Sequence, residues 1–195
     1  MNDSLKVLEW VAAALSLWCV WLAAKNKILN WPISMLASIV YAYVFYSNRF
    51  YSESYLQAAF FAFQSYGWWY WSNLNPQKSN QNINHISFKS ALYLGLFFLL
   101  GYLLWYSTYT HFFKDARFPL VDVFLTVLSI TALYMQAKRW IEHWYLWILA
   151  DIIYVPMFYL GDQKITAGLY FVFIGLAYFG LQQWKKEKAA QGGLS

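Results

Sequence analysis

Trp144-Tyr-Leu-Trp-Ile-Leu-Ala-Asp-Ile-Ile-Tyr-Val-Pro-Met-Phe158 carries a single charged residue, Asp151, in an otherwise apolar run. Trp144, Trp147, Asp151, Tyr154 and Phe158 recur at spacings of three and four, so on a helix they stack along one face. The apolar background predicts a membrane-spanning helix. An ionisable group inside such a helix marks a functional site until shown otherwise.

The whole chain shares that character. It is 61% hydrophobic and 12% charged, with a mean hydropathy of +0.35, against about 25% charged residues in soluble domains. A soluble fold has too little interior to hide so much apolar surface. The aromatic content of 23% is first explained by interfacial belts and core packing, before any of it is assigned to a ligand. A lone cysteine, Cys19, excludes an internal disulfide.

Seven apolar runs fit within 195 residues: Leu5–Ala24, Ile28–Tyr46, Tyr51–Trp71, Phe88–Tyr109, Phe118–Gln136, Ile141–Leu160 and Ile165–Trp184. The first lacks a basic leader and is long enough to span, so it reads as a helix rather than a cleaved signal. Ser72–Ser87, rich in Asn, Gln and Ser, reads as a polar loop. The basic, then Gly-rich tail from Lys185 reads as disordered. Nine lysines and arginines fall on the Lys25, Lys138 and Lys185 side and five on the other. Cytoplasmic loops carry the excess, which predicts the N-terminus outside and the C-terminus in the cytoplasm. The basic balance therefore reflects topology rather than nucleic-acid binding.

An internal repeat organises the chain. Shifted by 113 residues without a gap, Leu15-Ser16 meets Leu128-Ser129, Ala24-Lys25 meets Ala137-Lys138, Trp31 meets Trp144, Tyr41 meets Tyr154 and Phe45-Tyr46 meets Phe158-Tyr159. In the same register Leu56 meets Leu169, Phe60 meets Phe173, Gly67 meets Gly180 and Trp71 meets Trp184. Two three-helix units result, and the fourth run supplies the extra crossing that makes them parallel. The expected fold is an all-α membrane protein of seven transmembrane helices in a 3+1+3, SWEET-like arrangement. Residues 1–71 form the first repeat, 72–110 the loop and linker helix, 111–184 the second repeat and 185–195 a cytoplasmic tail.

Substrates of such folds bind near the midplane between the halves. The face Trp144, Trp147, Asp151, Tyr154 then has the counterpart Trp31, Ser34, Ser38, Tyr41, so one half supplies aromatics and charge while the other supplies room. The third helix adds Gln57, Gln64 and Trp68 at helical spacing, the glutamines as pocket groups or as inter-helix hydrogen bonds. Asp122, early in the fifth helix and shortly past Arg117, reads as a pocket residue, an interfacial cap or an ion-pair partner of Arg117. Trp144, in the first turn of its helix, also suits the interfacial belt. Rings beside a buried carboxylate favour a flat, positively charged ligand. No metal-ligand spacing, Walker-type loop or Gly-x-Gly-Asp protease element appears, so no cofactor, metal or enzymatic activity is expected. A non-transporting membrane assembly subunit is the competing class, and the repeat argues against it.

Phe50-Tyr-Ser-Glu-Ser-Tyr-Leu-Gln57, Tyr66-Gly-Trp-Trp-Tyr-Trp71 and the Trp-x-x-Trp of Trp144 and Trp147 together resemble the signature of the PnuC-type vitamin transporters. The resemblance implies a bacterial inner-membrane protein, a homotrimer in contact with lipid, whose members carry nicotinamide riboside, thiamine or riboflavin by facilitated diffusion. A separate cytoplasmic kinase then traps the product. It also implies Trp144 and Trp147 as binding aromatics and Gln57 or Gln64 as the polar contact. Glu53 stands where many members have Asp. Some riboside carriers have an additional N-terminal helix that this sequence does not show, a trait that leans towards the thiamine branch. Nicotinamide riboside is the first expectation, thiamine the second, riboflavin the third, with a proton-coupled version using Asp151 as a further alternative.

Overall fold

The computed structural model describes residues 3–47, 51–73, 83–112, 114, 118–160 and 164–192. Within them lie seven helices: α1 (Asp3–Ala24), α2 (Asn30–Ser47), α3 (Tyr51–Ser72), α4 (Phe88–Phe112), α5 (Pro119–Ala137), α6 (His143–Leu160) and α7 (Lys164–Gly192). The shortest have 18 residues, about 27 Å at a rise of ~1.5 Å per residue, close to the ~30 Å hydrocarbon core of a bilayer. By length and hydropathy, two helices are apolar enough to cross a membrane among the described residues, α4 and α5. Helices α1, α2, α6 and α7 carry Trp, Tyr, Ser and Gln among their apolar residues. Their outward faces still show Trp10, Ile39, Ile152 and Phe171 to the surroundings.

The turns that end α1 and α5 share one construction. Asn26 and Arg139 adopt φ of 54° and 59°, the left-handed conformation that commonly stops a helix. Asn26 N–H donates to the Ala23 carbonyl and Lys27 N–H to Leu22; Arg139 N–H donates to Gln136 and Trp140 N–H to Met135. These two bonds satisfy carbonyls that the helix end would otherwise leave without donors. Side chains then start the next helix. Asn30 Nδ2 donates to the Lys27 carbonyl at 2.7 Å, and His143 Nδ1 lies 2.8 Å from the Trp140 carbonyl. Every partner in one turn is 113 residues from its equivalent in the other.

Packing repeats in the same way. The Trp31 ring packs against Gly67 of α3, and the Trp144 ring against Gly180 of α7, where an added Cβ would overlap ring carbons. Only glycine permits that approach. Trp31 meets Trp71 edge-on at 5.6 Å and Trp144 meets Trp184 edge-on at 5.9 Å. Trp71 Nε1 crosses to the Ala137 carbonyl of α5, and Trp184 Nε1 crosses to the Ala23 carbonyl of α1, both at 2.9 Å. Lys138 Nζ sits over Tyr66 at 5.6 Å, while Lys25 Nζ sits over the equivalent Phe179 at 5.0 Å. Helix α4 stands apart, packing among the described residues on α5 alone, its outward leucines exposed.

The expectation for the tail changes. Residues 185–192 are not a disordered tail, because α7 continues to Gly192. Its last turns are held by Asn26 Nδ2 donating to Glu187 at 2.8 Å and by Ile83 N–H donating to Gln191 Oε1 at 3.1 Å. The end of the polar loop is also ordered. Asn84 pairs with the α5–α6 turn, its N–H donating to Arg139 and its carbonyl accepting from Ile141. Ile86 N–H and His85 Nδ1 meet Glu142 at 3.0 and 2.7 Å. Residues 74–82 of that loop and Arg117, considered as a partner of Asp122, lie outside the described residues.

Candidate functional site

A cavity of about 210 Å³ lies between α1–α3 and α5–α7, lined by residues of all six helices. Its ten residues from α5–α7 are Ser129, Leu133, Gln136, Trp144, Trp147, Asp151, Tyr154, Tyr170, Phe173 and Ala177. Subtracting 113 from each gives Ser16, Val20, Ala23, Trp31, Ser34, Ser38, Tyr41, Gln57, Phe60 and Gln64, and every one of these also lines the cavity. Two repeat-related walls thus face each other.

The walls agree where they are structural. Trp31 and Trp144, Tyr41 and Tyr154, Phe60 and Phe173, and Ser16 and Ser129 keep the same side chain in both. They differ at five positions that carry polarity: Ser34 against Trp147, Ser38 against Asp151, Gln57 against Tyr170, Gln64 against Ala177 and Ala23 against Gln136. A pseudo-symmetric cavity becomes selective for an asymmetric ligand through such differences.

Hydrogen bonds fix several of these groups. Ser38 Oγ donates to Gln64 Oε1 at 3.1 Å, holding α2 and α3 together inside the cavity wall. Gln136 Nε2 donates to Asn30 Oδ1 at 3.0 Å across the two halves, and Trp147 Nε1 approaches Gln136 Oε1 at 3.4 Å. Trp147 is therefore oriented as well as packed. Tyr154 and Tyr170, both lining the cavity, pack with ring centroids 4.5 Å apart and planes tilted by 40°. Asp151 is only 5% exposed and faces the cavity, and among the described residues no hydrogen bond or ion pair to its carboxylate is present. Removing a carboxylate from water without a partner is costly, so the group is set up to meet a cation, a donor or a proton.

Of the residues expected at the site, Ser38, Tyr41, Gln57, Gln64, Trp144, Trp147, Asp151 and Tyr154 come together here. Trp68 and Asp122 do not. Trp68 lies one turn past Gln64, beyond the Trp31–Gly67 contact that bounds the cavity, and is 44% exposed. Helical spacing gave its direction but not its depth. Asp122 accepts a hydrogen bond from Tyr109 of α4 at 2.7 Å and so ties α4 to α5. Trp144 is a wall residue and a core residue at once, 2% exposed and seated on Gly180. Tyr170, Ala177, Gln136 and Asn30 were not among the expected site residues. The first two follow from adding 113 to Gln57 and Gln64, a signal already present in the repeat.

Residues 6–186 match the family model described as nicotinamide mononucleotide transporter. The chain belongs to that family. Among curated relatives, the nicotinamide riboside transporter PnuC of Escherichia coli K12 is 24% identical over 95% of this chain and 89% of its own length. The riboflavin/roseoflavin transporter RibM of Streptomyces davaonensis is 23% identical over 90% of this chain and 83% of its own. The crystal structure of the vitamin B3 transporter PnuC superposes with a TM-score of 0.73 at 21% identity, covering 94% of this chain and 82% of that one. A member of this nicotinamide mononucleotide transporter family is an integral membrane protein that moves a solute, not an enzyme. These relatives are named for different cargoes, nicotinamide riboside in one and riboflavin or roseoflavin in the other.

Proposed function

We propose that this chain imports a vitamin, with nicotinamide riboside as the leading substrate, through a pathway between two parallel three-helix repeats. Residues 1–71 and 111–184 are the repeats, and residues 72–110 are the loop and linker helix. The observation that carries this reading is the unpaired Asp151 carboxylate beside Trp147 in a cavity spanning both halves. A flat aromatic cation stacks on the indole with ~0.5–2 kcal/mol of cation–π attraction and neutralises the carboxylate. Nicotinamide riboside and thiamine both meet that description. The cavity, about 210 Å³, is below the ~300–1,000 Å³ of typical small-molecule pockets, which favours these compact cargoes over the larger, neutral riboflavin.

The protein works in the bacterial inner membrane as a homotrimer, by facilitated diffusion, with a cytoplasmic kinase trapping the product. The N-terminus is outside and the C-terminus cytoplasmic, supported by Lys25, Lys138, Arg139 and Lys185 at one end of the bundle. Calorimetric titration of the purified protein with nicotinamide riboside, thiamine and riboflavin tests the substrate. Micromolar binding of one cation is expected; binding of riboflavin alone would overturn the cationic reading. The burial of Asp151 also favours a second version, in which the carboxylate carries a proton. Uptake into vesicles that ignores an imposed pH gradient supports the uniporter, and uptake driven by the gradient supports the coupled version.

A further inference from the structure

The repeat register makes one asymmetry of the cavity chemically specific. In the first wall the polar side chain at position 38 has a partner, because Ser38 Oγ donates to Gln64 Oε1 at 3.1 Å. In the second wall Asp151 occupies the equivalent of Ser38, and Ala177 occupies the equivalent of Gln64. Both line the cavity, and both are buried, at 5% and 2% exposure. The carboxylate therefore stands where the equivalent amide has been replaced by a methyl group. A glutamine at 177 would offer Asp151 an N–H donor, as the first wall's pattern pairs hydroxyl and amide. The protein pairs the neutral serine internally and leaves the acid to the cavity.

Resting on the reading of this cavity as the vitamin site, we propose that Ala177 is a specificity-determining residue that keeps the Asp151 carboxylate available to a cationic or hydrogen-bond-donating group of the ligand. Gln64 plays the complementary part. Its carbonyl oxygen is engaged by Ser38, which leaves its amide N–H donors for an acceptor on the ligand. The cavity thus has polarity across the pseudo-symmetry axis: the α6–α7 wall receives the ligand's positive or donating end, and the α2–α3 wall receives its accepting end. This sets the orientation of the cargo as well as its charge.

The test compares Ala177→Gln with Ala177→Leu, which adds similar bulk without an amide, by titrating the full-length protein in detergent with nicotinamide riboside and with thiamine. For whichever cation the wild type binds, Ala177→Gln lowers affinity at least tenfold more than Ala177→Leu. In an Asp151→Asn background the two substitutions become equivalent, because the charge that the amide would satisfy is gone. Equal losses in Gln and Leu variants with Asp151 intact, or wild-type affinity in Ala177→Gln, would overturn the proposal while leaving the cavity as the binding site. If the glutamine variant does not yield a monodisperse helical protein, Ala177→Asn against Ala177→Val makes the same comparison with less added volume. Binding of neither cation by the wild type would remove the vitamin-site reading and this inference together.

Discussion

The two helix-ending turns and the two cavity walls descend from the same 113-residue offset, yet they differ in how strictly they keep it. In the turns, each backbone–backbone hydrogen bond of Leu22–Trp31 has its counterpart in Met135–Trp144. In the walls, half of the ten paired positions have changed chemical type. Turns are held by backbone geometry, which tolerates few solutions. Walls are held by whatever they must contact, and a ligand without two-fold symmetry asks different things of each. On the proposed reading of the cavity, symmetry marks scaffold here and its loss marks recognition.

Substitutions that erase a wall difference test that distinction most severely. Asp151→Ser makes the second wall like the first at its charged position. Loss of a buried charge pair with a ligand costs about 3 kcal/mol, or roughly 100-fold in affinity, and a thermal melt without ligand should show no loss of stability. Trp147→Ser is the next in size, with an expected loss of ~10-fold or more from stacking, read in the same titration. Substitutions in the symmetric scaffold should behave oppositely. Gly67→Ala and Gly180→Ala force Trp31 and Trp144 off their seats, overpacking worth ~1–3 kcal/mol, and should lower the melting temperature of both variants to a similar extent. Unequal drops would weaken the equivalence of the two halves. The smallest effects belong to residues that spacing alone brought to the site. Trp68→Ala and Asp122→Asn should leave ligand affinity within about twofold, since inter-helix polar contacts in membranes contribute only ~0.6 kcal/mol on average.

Much of this was legible in the sequence, for identifiable reasons. Helix count and the paired faces followed from apolar runs and from Trp31, Gly67 and Trp71 recurring as Trp144, Gly180 and Trp184. Asp151 was visible because a charge deep in an apolar run has no bland explanation at the interface. Depth was not legible. Trp68 shares the direction of Gln64 on α3 but lies a turn beyond the Trp31–Gly67 contact, and no periodicity reports where a cavity ends. Asp122 was ambiguous because its partner, Tyr109, sits on α4, whose contact with α5 no spacing reports. The ordering of α7 beyond Trp184 depended on Asn26 and Ile83, contacts distant in sequence that composition cannot reveal. Tyr170 and Ala177 were within reach, since the repeat that paired Ser38 with Asp151 pairs Gln57 and Gln64 with them.

The most direct measurement is calorimetric titration of nicotinamide riboside into the wild-type protein and into Asp151→Ser side by side. The account predicts micromolar binding by the wild type and a loss of about 100-fold in a variant that remains folded. Equal affinity in the two proteins would contradict it, because the charge of the second wall would then have no part in recognition.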